Sequence, residues 1–214
     1  MNETITEGNR LPLPPGLPSR HFIYKTAGPA FALDAADVAK VVEATKAIVE
    51  KTGLYPGQIE VLGTSNFEEA GAADAYSRMC ESVKKAVGVA SKPQVVICEQ
   101  AFAHSDPDFS GVAFLSRVLH TGPEAYYLQM FHTAKMEECH DLVSSSRLIR
   151  EGDWFVIDPT TPHMAVPRHS NNEALLILLQ VELPDNTLVD RQELVRLLPP
   201  LDGDRDIRDL EYDE

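Results

Sequence analysis

Residues 94–106 have the sequence QVVICEQAFAHSD, an apolar run that ends in His104-Ser105-Asp106. The run predicts a strand over about residues 94–103, and residues i and i+2 of a strand point to the same side of a sheet. His104 and Asp106 can therefore reach one metal ion. Another histidine, His163, follows after 56 intervening residues. Two imidazoles and one carboxylate can occupy one face of an octahedral iron(II) and leave three positions open, so this set is a candidate iron site.

Short apolar segments on both sides of the His-x-Asp motif predict a fold made mainly of β-strands. They are rich in Val, Ile, Leu, Phe and Tyr, and turn residues separate them. Several short strands at such spacing favour a β-sandwich or barrel over a parallel βαβ sheet. The predicted strands cover about residues 94–103, 112–119, 125–133, 141–149, 153–157 and 174–181.

Helices are predicted on either side of these strands. The first begins after an N-cap at Asp34 and ends at Gly53, and a short strand follows at 58–62. A second helix is expected from Asn66 to Val83, where apolar residues recur at helical spacing. A closing helix is expected at 190–198. The predicted fold is thus mainly β with flanking helices.

Composition limits the class of protein. The chain has 214 residues, of which 43% are apolar and 24% charged, as expected for a soluble globular protein. Residues 1–20 contain four prolines and predict an extended arm, and residues 21–214 are expected to form a single domain. Without a secretory signal or an apolar run of roughly 20 residues, a cytoplasmic protein with no membrane partner is expected. The net charge of −14 argues against nucleic acid as a partner.

The central part of the chain resembles the iron(II)/2-oxoglutarate-dependent oxygenases, whose fold is a double-stranded β-helix, or jelly roll. The resemblance spans about residues 94–181. In that family a Gly-Asp turn leads into an apolar strand, and a short Pro-containing loop then delivers the distal histidine. The stretches that carry the resemblance are Ala101–Asp106, Gly111–Leu119, Glu151–His163 and Ala174–Val181.

The resemblance implies a metal site and a reaction. It implies that His104, Asp106 and His163 bind iron(II), and that 2-oxoglutarate is the cosubstrate. The protein would then be an oxidoreductase, a dioxygenase that attacks a C–H bond of a small molecule or peptide, most often by hydroxylation. Desaturation and ring chemistry can follow from the same oxidant.

The sequence departs from the family at the residue that binds the cosubstrate. Many members carry an Arg or Lys a little after the distal histidine, where it pairs with the far carboxylate of 2-oxoglutarate. Here residues 171–174 are Asn-Asn-Glu-Ala. Arg168, five residues after His163, is the preferred substitute, and Arg117 in the strand after the His-x-Asp motif is the other. A guanidinium suits this role because it can form two parallel hydrogen bonds with a carboxylate.

Two other functions are compatible with the sequence. A cupin-type metal dioxygenase or isomerase would use further histidines of the strands, such as His120 or His132, although the chain has no His-x-His pair. A jelly-roll protein that binds a small molecule or peptide without turnover is the second alternative. An exposed edge strand in a small barrel also makes a homodimer a reasonable expectation.

Overall fold

Ten strands and three helices form in the part of the chain that the computed structural model describes, residues 24–26, 32–87, 92–106, 113–123, 125–131, 143–169 and 174–183. The helices are α1 (Ala35–Thr52), α2 (Thr64–Glu69) and α3 (Ala73–Val87). The strands are β1 (Tyr24–Thr26), β2 (Glu60–Leu62), β3 (Gln94–Cys98), β4 (Ala101–His104), β5 (Ala113–His120), β6 (Tyr126–Phe131), β7 (Val143–Ile149), β8 (Trp154–Ile157), β9 (His163–Pro167) and β10 (Leu176–Leu183).

The strands form two antiparallel sheets with the topology of a jelly roll. The larger sheet has the order β1-β8-β5-β10-β3-β2, and the smaller has the order β4-β9-β6-β7. From β3 to β10 the chain crosses repeatedly from one sheet to the other. Strands β3, β5, β8 and β10 belong to the larger sheet and face β4, β6, β7 and β9 of the smaller one. This is the double-stranded β-helix predicted from the sequence. The strands β1 and β2 widen the larger sheet at its two edges.

The central strand β10 of the larger sheet is buried on both faces, which explains its uninterrupted apolar run. Ile177 and Leu179 pack toward the helices, whereas Leu176 and Leu178 point between the two sheets. A strand covered on both faces has no polar side, so Leu-Ile-Leu-Leu at residues 176–179 does not alternate. The helices therefore cover one face of this sheet, and the other face is one wall of the space between the sheets.

The first helix begins as the sequence predicted, whereas the second predicted helix is divided in two. The carboxylate of Asp34 accepts hydrogen bonds from the backbone N–H groups of Ala36 and Asp37, so α1 begins where the sequence predicted. The single helix predicted from Asn66 to Val83 is wrong, because the chain turns between α2 and α3. Gly71 adopts a φ of 69° there, a left-handed conformation that glycine allows without steric cost.

The predicted strands also differ from the structure at two places. The strand expected over 94–103 is in fact β3 and β4, which belong to different sheets and are joined by a turn at residues 99–100. Strand β9 was not predicted. The arm at 1–20 and the helix at 190–198 lie outside the described residues. None of the described helices is long and apolar enough to cross a membrane.

Candidate metal centre

The three candidate metal ligands come together in the space between the sheets. His104 ends β4 and His163 begins β9, and antiparallel pairing sets these two residues opposite each other. Their ring centroids are 4.3 Å apart. Asp106 follows two residues after β4, and one donor atom from each of the three side chains lies within 4.8 Å of the other two. The structure thus brings together the set that the sequence predicted.

Backbone carbonyls fix the orientation of both imidazoles. Nδ1 of His104 lies 2.7 Å from the carbonyl oxygen of Phe102, and Nδ1 of His163 lies 2.9 Å from that of Thr161. A carbonyl oxygen only accepts hydrogen bonds, so each Nδ1 carries the proton and donates it. Each Nε2 then keeps its lone pair, which is the form in which histidine binds a metal.

The loop before β9 is held in place by backbone hydrogen bonds on two sides. The N–H of Asp106 donates to the carbonyl of Pro159 at 2.9 Å, and the N–H of Phe131 donates to the carbonyl of Pro162 at 2.8 Å. Within the loop, the carboxylate of Asp158 accepts from the backbone N–H and the hydroxyl of Thr160. These contacts set the distance between Asp106 and the histidine pair.

Burial alters the protonation of two members of the set. It lowers the pKa of His163 to about 4, with a further contribution from the neighbouring His104, while the hydrogen bond to Thr161 opposes the shift. Burial also raises the pKa of the Asp106 carboxyl, and His104 opposes that change. A divalent cation would compensate the buried carboxylate and bind the neutral imidazole of His163. The donor set therefore fits a transition metal such as iron(II).

A cavity of about 210 Å³ adjoins the three side chains. Its walls are mostly apolar and come from the facing surfaces of both sheets, together with two residues of the β2 region. Two amide side chains, Gln94 and Gln180, are the polar exceptions apart from the metal-binding set. The apolar lining residues are Ile59, Val61, Val96, Cys98, Ala101, Phe114, Leu128, Phe155, Ile157, Ala165, Leu176 and Leu178.

Neither arginine proposed for the cosubstrate is among the residues that line this cavity. Arg117 lies on the helix-facing side of β5, with its guanidinium carbon 5.6 Å from the centre of the Trp154 ring. Arg168 is exposed and follows the end of β9 opposite to His163. Arg168 follows His163 closely in sequence, but the five residues of β9 separate the two by roughly 16 Å.

The structure also shows polar groups that the sequence analysis did not single out. Gln180 of β10 donates a hydrogen bond from Nε2 to the buried hydroxyl of Ser116 on β5, at 3.3 Å. Gln94 lies opposite Gln180 on β3. Parity along β10 could have indicated Gln180, because it shares a side with Leu176 and Leu178.

The additional histidines of the cupin alternative are not part of the described metal-binding set. His120 lies at the end of β5, where Nδ1 is 2.6 Å from a carboxylate oxygen of Glu151. His132 falls outside the described residues. Among the residues that the structure covers, the three-ligand group is formed by His104, Asp106 and His163.

Comparison with known proteins gives distant structural similarities. No protein-family model and no curated protein matches the chain. The non-haem α-ketoglutarate-dependent carbocyclase SnoK from nogalamycin biosynthesis is 12% identical, with a TM-score of 0.45 over 85% of this chain and 89% of that one. The epimerase SnoN from the same biosynthesis, likewise non-haem and α-ketoglutarate-dependent, is 17% identical, with a TM-score of 0.46 over 86% of this chain and 91% of that one.

A second kind of protein is also similar. A mutant of the oxalate decarboxylase OxdC of Bacillus subtilis is 10% identical, with a TM-score of 0.34 over 61% of this chain and 26% of that one. These similarities are distant and concern the fold alone.

Proposed function

We propose that the chain is an iron(II)- and 2-oxoglutarate-dependent oxygenase that hydroxylates a C–H bond. The observation that carries the proposal is the convergence of two imidazoles and one carboxylate within 4.8 Å beside a cavity of a jelly roll. His104, Asp106 and His163 would hold iron(II) through two nitrogens and one oxygen, and a metal held by three protein ligands would have room for the cosubstrate. Bound iron(II) with 2-oxoglutarate supplies an oxidant that can attack C–H bonds.

The protein's own residues contribute orientation and exclusion of water. The carbonyls of Phe102 and Thr161 keep both Nε2 atoms available on the same side of the β4–β9 pair. The apolar lining limits the water that can reach the reacting groups, which protects a reactive oxidant from side reactions. The amide of Gln180, held by Ser116, offers a hydrogen-bonding group on the facing wall.

The test is an anaerobic titration with iron(II), with and without 2-oxoglutarate. A chelated ternary complex has a visible metal-to-ligand charge-transfer band, which is absent when either component is omitted. We expect His104→Ala, Asp106→Ala and His163→Ala each to abolish the band and iron binding. Asp106→Glu retains a carboxylate and should be milder. His120→Ala is the matched histidine control, because His120 lies outside the cavity lining. Wild-type iron affinity in all three alanine variants would refute the site.

The cosubstrate also requires a cation, since a buried dicarboxylate without one is costly. Arg147 of β7 is a candidate that the sequence analysis missed. It lies opposite Leu128, and residues paired across antiparallel strands share a face, so its side chain leaves β7 on the side of this lining residue. We propose a comparison of 2-oxoglutarate affinity in iron-loaded Arg147→Gln, Arg168→Gln and Arg117→Gln. The variant that lacks the arginine paired with the cosubstrate should lose about 2–5 kcal/mol of 2-oxoglutarate binding free energy, and its iron affinity should be unchanged.

A second candidate function follows from the lining itself. No Lys or Arg is found among the cavity-lining residues within the described ranges. This observation favours a metal enzyme that uses oxygen without 2-oxoglutarate, such as a cupin-type dioxygenase. Iron binding with normal affinity but no charge-transfer band on addition of 2-oxoglutarate would support this second function and refute the first.

A further inference from the structure

The large apolar side chains that are exposed lie in one region of the described chain. They are Tyr55, Ile59, Val61 and Phe102, with exposed fractions of 71%, 38%, 52% and 47%. Three of them belong to the segment that leads into and forms β2, and the fourth is on β4. Clustered exposed apolar residues mark binding sites more often than isolated ones do. We name Ile59, Val61 and Phe102 the apolar rim.

A close backbone contact holds the two parts of the apolar rim together. The N–H of Gly57 donates to the carbonyl of Gln100 at 2.8 Å, which ties the turn before β2 to the turn before β4. A Cβ atom at Gly57 would lie 2.4 Å from the Phe102 ring, so that ring rests directly on the glycine. The φ of Gly57 is 87°, which also favours glycine at this position.

Two members of the apolar rim connect it with the candidate metal ligands. Ile59 and Val61 line the same cavity as His104, Asp106 and His163. At this side of the molecule β2 is the outer strand of the larger sheet and β4 is the outer strand of the smaller one. No backbone hydrogen bonds join these two outer strands in the described sheets, so the space between the sheets reaches the apolar rim.

The described residues that line the cavity offer hydrogen bonds but, outside the candidate metal ligands, no charge. Apart from those three residues, the described lining consists of apolar side chains and two amides, Gln94 and Gln180. The thiol of Cys98 is neutral, because burial raises its pKa to about 12. A charged substituent placed against the walls near Gln94 and Gln180, away from the Arg147 side of β7, would lose hydration without gaining a partner among the described lining residues. A hydroxyl or carbonyl could instead pair with an amide.

We propose that the substrate is an uncharged, mostly apolar small molecule that reaches the metal across the apolar rim and places a hydroxyl or carbonyl group on Gln180 and Gln94. This inference rests on the proposed function for the presence of a metal, but not for the use of 2-oxoglutarate. It also selects a small molecule over a peptide, whose backbone would bring several polar groups to an apolar wall.

The experiment uses the full chain with Mn²⁺ and three probes that share one ring system. They are 2-naphthalenemethanol, which is neutral, naphthalene-2-sulfonate, which is anionic and a poor metal ligand, and 2-naphthylmethylammonium, which is cationic. Fluorescence titration gives each affinity, and Mn²⁺-induced relaxation of the probe protons shows whether the probe binds beside the metal. The neutral probe should bind at least about ten-fold tighter than either charged probe and should be relaxed by Mn²⁺.

Variants test the residues assigned to this role. Val61→Asp places a charge on the apolar rim and should weaken binding of the neutral probe by about ten-fold or more. Glu60→Gln changes the charge of the neighbouring position on the same strand, where the side chain points to the other face, and should have no such effect. A fourth probe, 2-methylnaphthalene, lacks the hydroxyl and should bind the wild type more weakly than 2-naphthalenemethanol does. Gln180→Leu should abolish this difference. Val61 is half-exposed, so its replacement should leave the fold intact, which thermal unfolding verifies.

Several results would overturn the inference. A charged probe could bind as tightly as the neutral probe or more tightly, or Mn²⁺ could fail to relax the protons of the bound probe. Val61→Asp could also leave the affinity for the neutral probe unchanged, or it could dissociate a dimer whose formation depends on protein concentration. Preference for the neutral probe without a 2-oxoglutarate band would refute the cosubstrate and leave the inference standing. A charge-transfer band without a preference for the neutral probe would support the cosubstrate and refute the inference. If Mn²⁺ did not bind, the affinities of the probes and variants would still decide the substrate class.

Discussion

Acidification is expected to destabilise the metal-free protein, because the fold buries His163 in its neutral form. The side chain is 7% exposed, and its Nδ1 proton is donated to the carbonyl of Thr161. Protonation of Nε2 would place a cation beside His104, whose ring centroid is 4.3 Å away. Unfolding releases the imidazole into water, where it binds a proton more readily.

The magnitude follows from the two pKa values of this imidazole. The pKa is about 4 in the folded protein and about 6.5 in the unfolded chain. A histidine whose folded pKa is depressed contributes full stability above the unfolded value. That contribution is lost as the pH falls from about 6.5 to about 4, because only the unfolded chain gains a proton in this window. At pH 5 the loss is about 2 kcal/mol, since one pKa unit corresponds to about 1.4 kcal/mol.

Urea unfolding in the presence of EDTA, at about pH 7.5, 6 and 5, measures this loss. The raised pKa of Asp106 acts in the opposite direction, so the diagnostic quantity is the difference in pH dependence between wild type and His163→Gln. The wild type should lose about 2 kcal/mol more than the variant between pH 7.5 and 5. Parallel pH profiles for wild type and His163→Gln would refute the reasoning.

Three further predictions concern the scaffold. Asp34→Ala should lower the free energy of unfolding by about 1 kcal/mol through loss of the α1 cap, whereas Asp34→Asn should retain most of it, as urea denaturation can show. Phe67→Ala removes a fully buried ring that stacks on Tyr76 at 4.5 Å, and should cost about 3–5 kcal/mol in the same assay. Its metal affinity, measured by titration, should be unchanged, because this core lies on the helix side of the larger sheet. Deletion of residues 1–20 should leave the melting temperature unchanged, since a proline-rich polar arm has little to bury.

The grouping of the candidate metal ligands was predictable in part from local sequence signals. His104 and Asp106 are two residues apart, so no knowledge of the fold is needed to place them near each other. The distal His163 was singled out by the resemblance to the iron(II)/2-oxoglutarate-dependent oxygenases, in which a Pro-containing loop precedes the second histidine. The sequence could not show that β4 and β9 set the two histidines opposite each other, because that pairing joins residues far apart in the chain.

The predictions that failed concern the end of β3, the existence of β9 and the face of Arg117. Each of these features depends on contacts between residues that are far apart in the chain. The turn at residues 99–100 is Glu-Gln, without Gly or Pro, so nothing local predicts that the chain leaves one sheet for the other there. Strand β9 is short, and its stability comes from β4 and β6 on either side. Both faces of β5 carry apolar residues, so alternation of polar and apolar residues could not indicate whether Arg117 faces the cavity or the helices.

The position of the site at an outer strand explains why so many backbone contacts surround it. Strand β4 has only four residues, hydrogen-bonds to β9 alone within the described sheet, and shows a register shift between Ala101 and His104. Pairing of this kind would by itself position the two imidazoles poorly. The Asp106–Pro159 and Phe131–Pro162 hydrogen bonds add a tether on each side of the loop that delivers the distal histidine. The outer strand can thus remain accessible from the apolar rim while the loop contacts maintain the geometry that a metal requires.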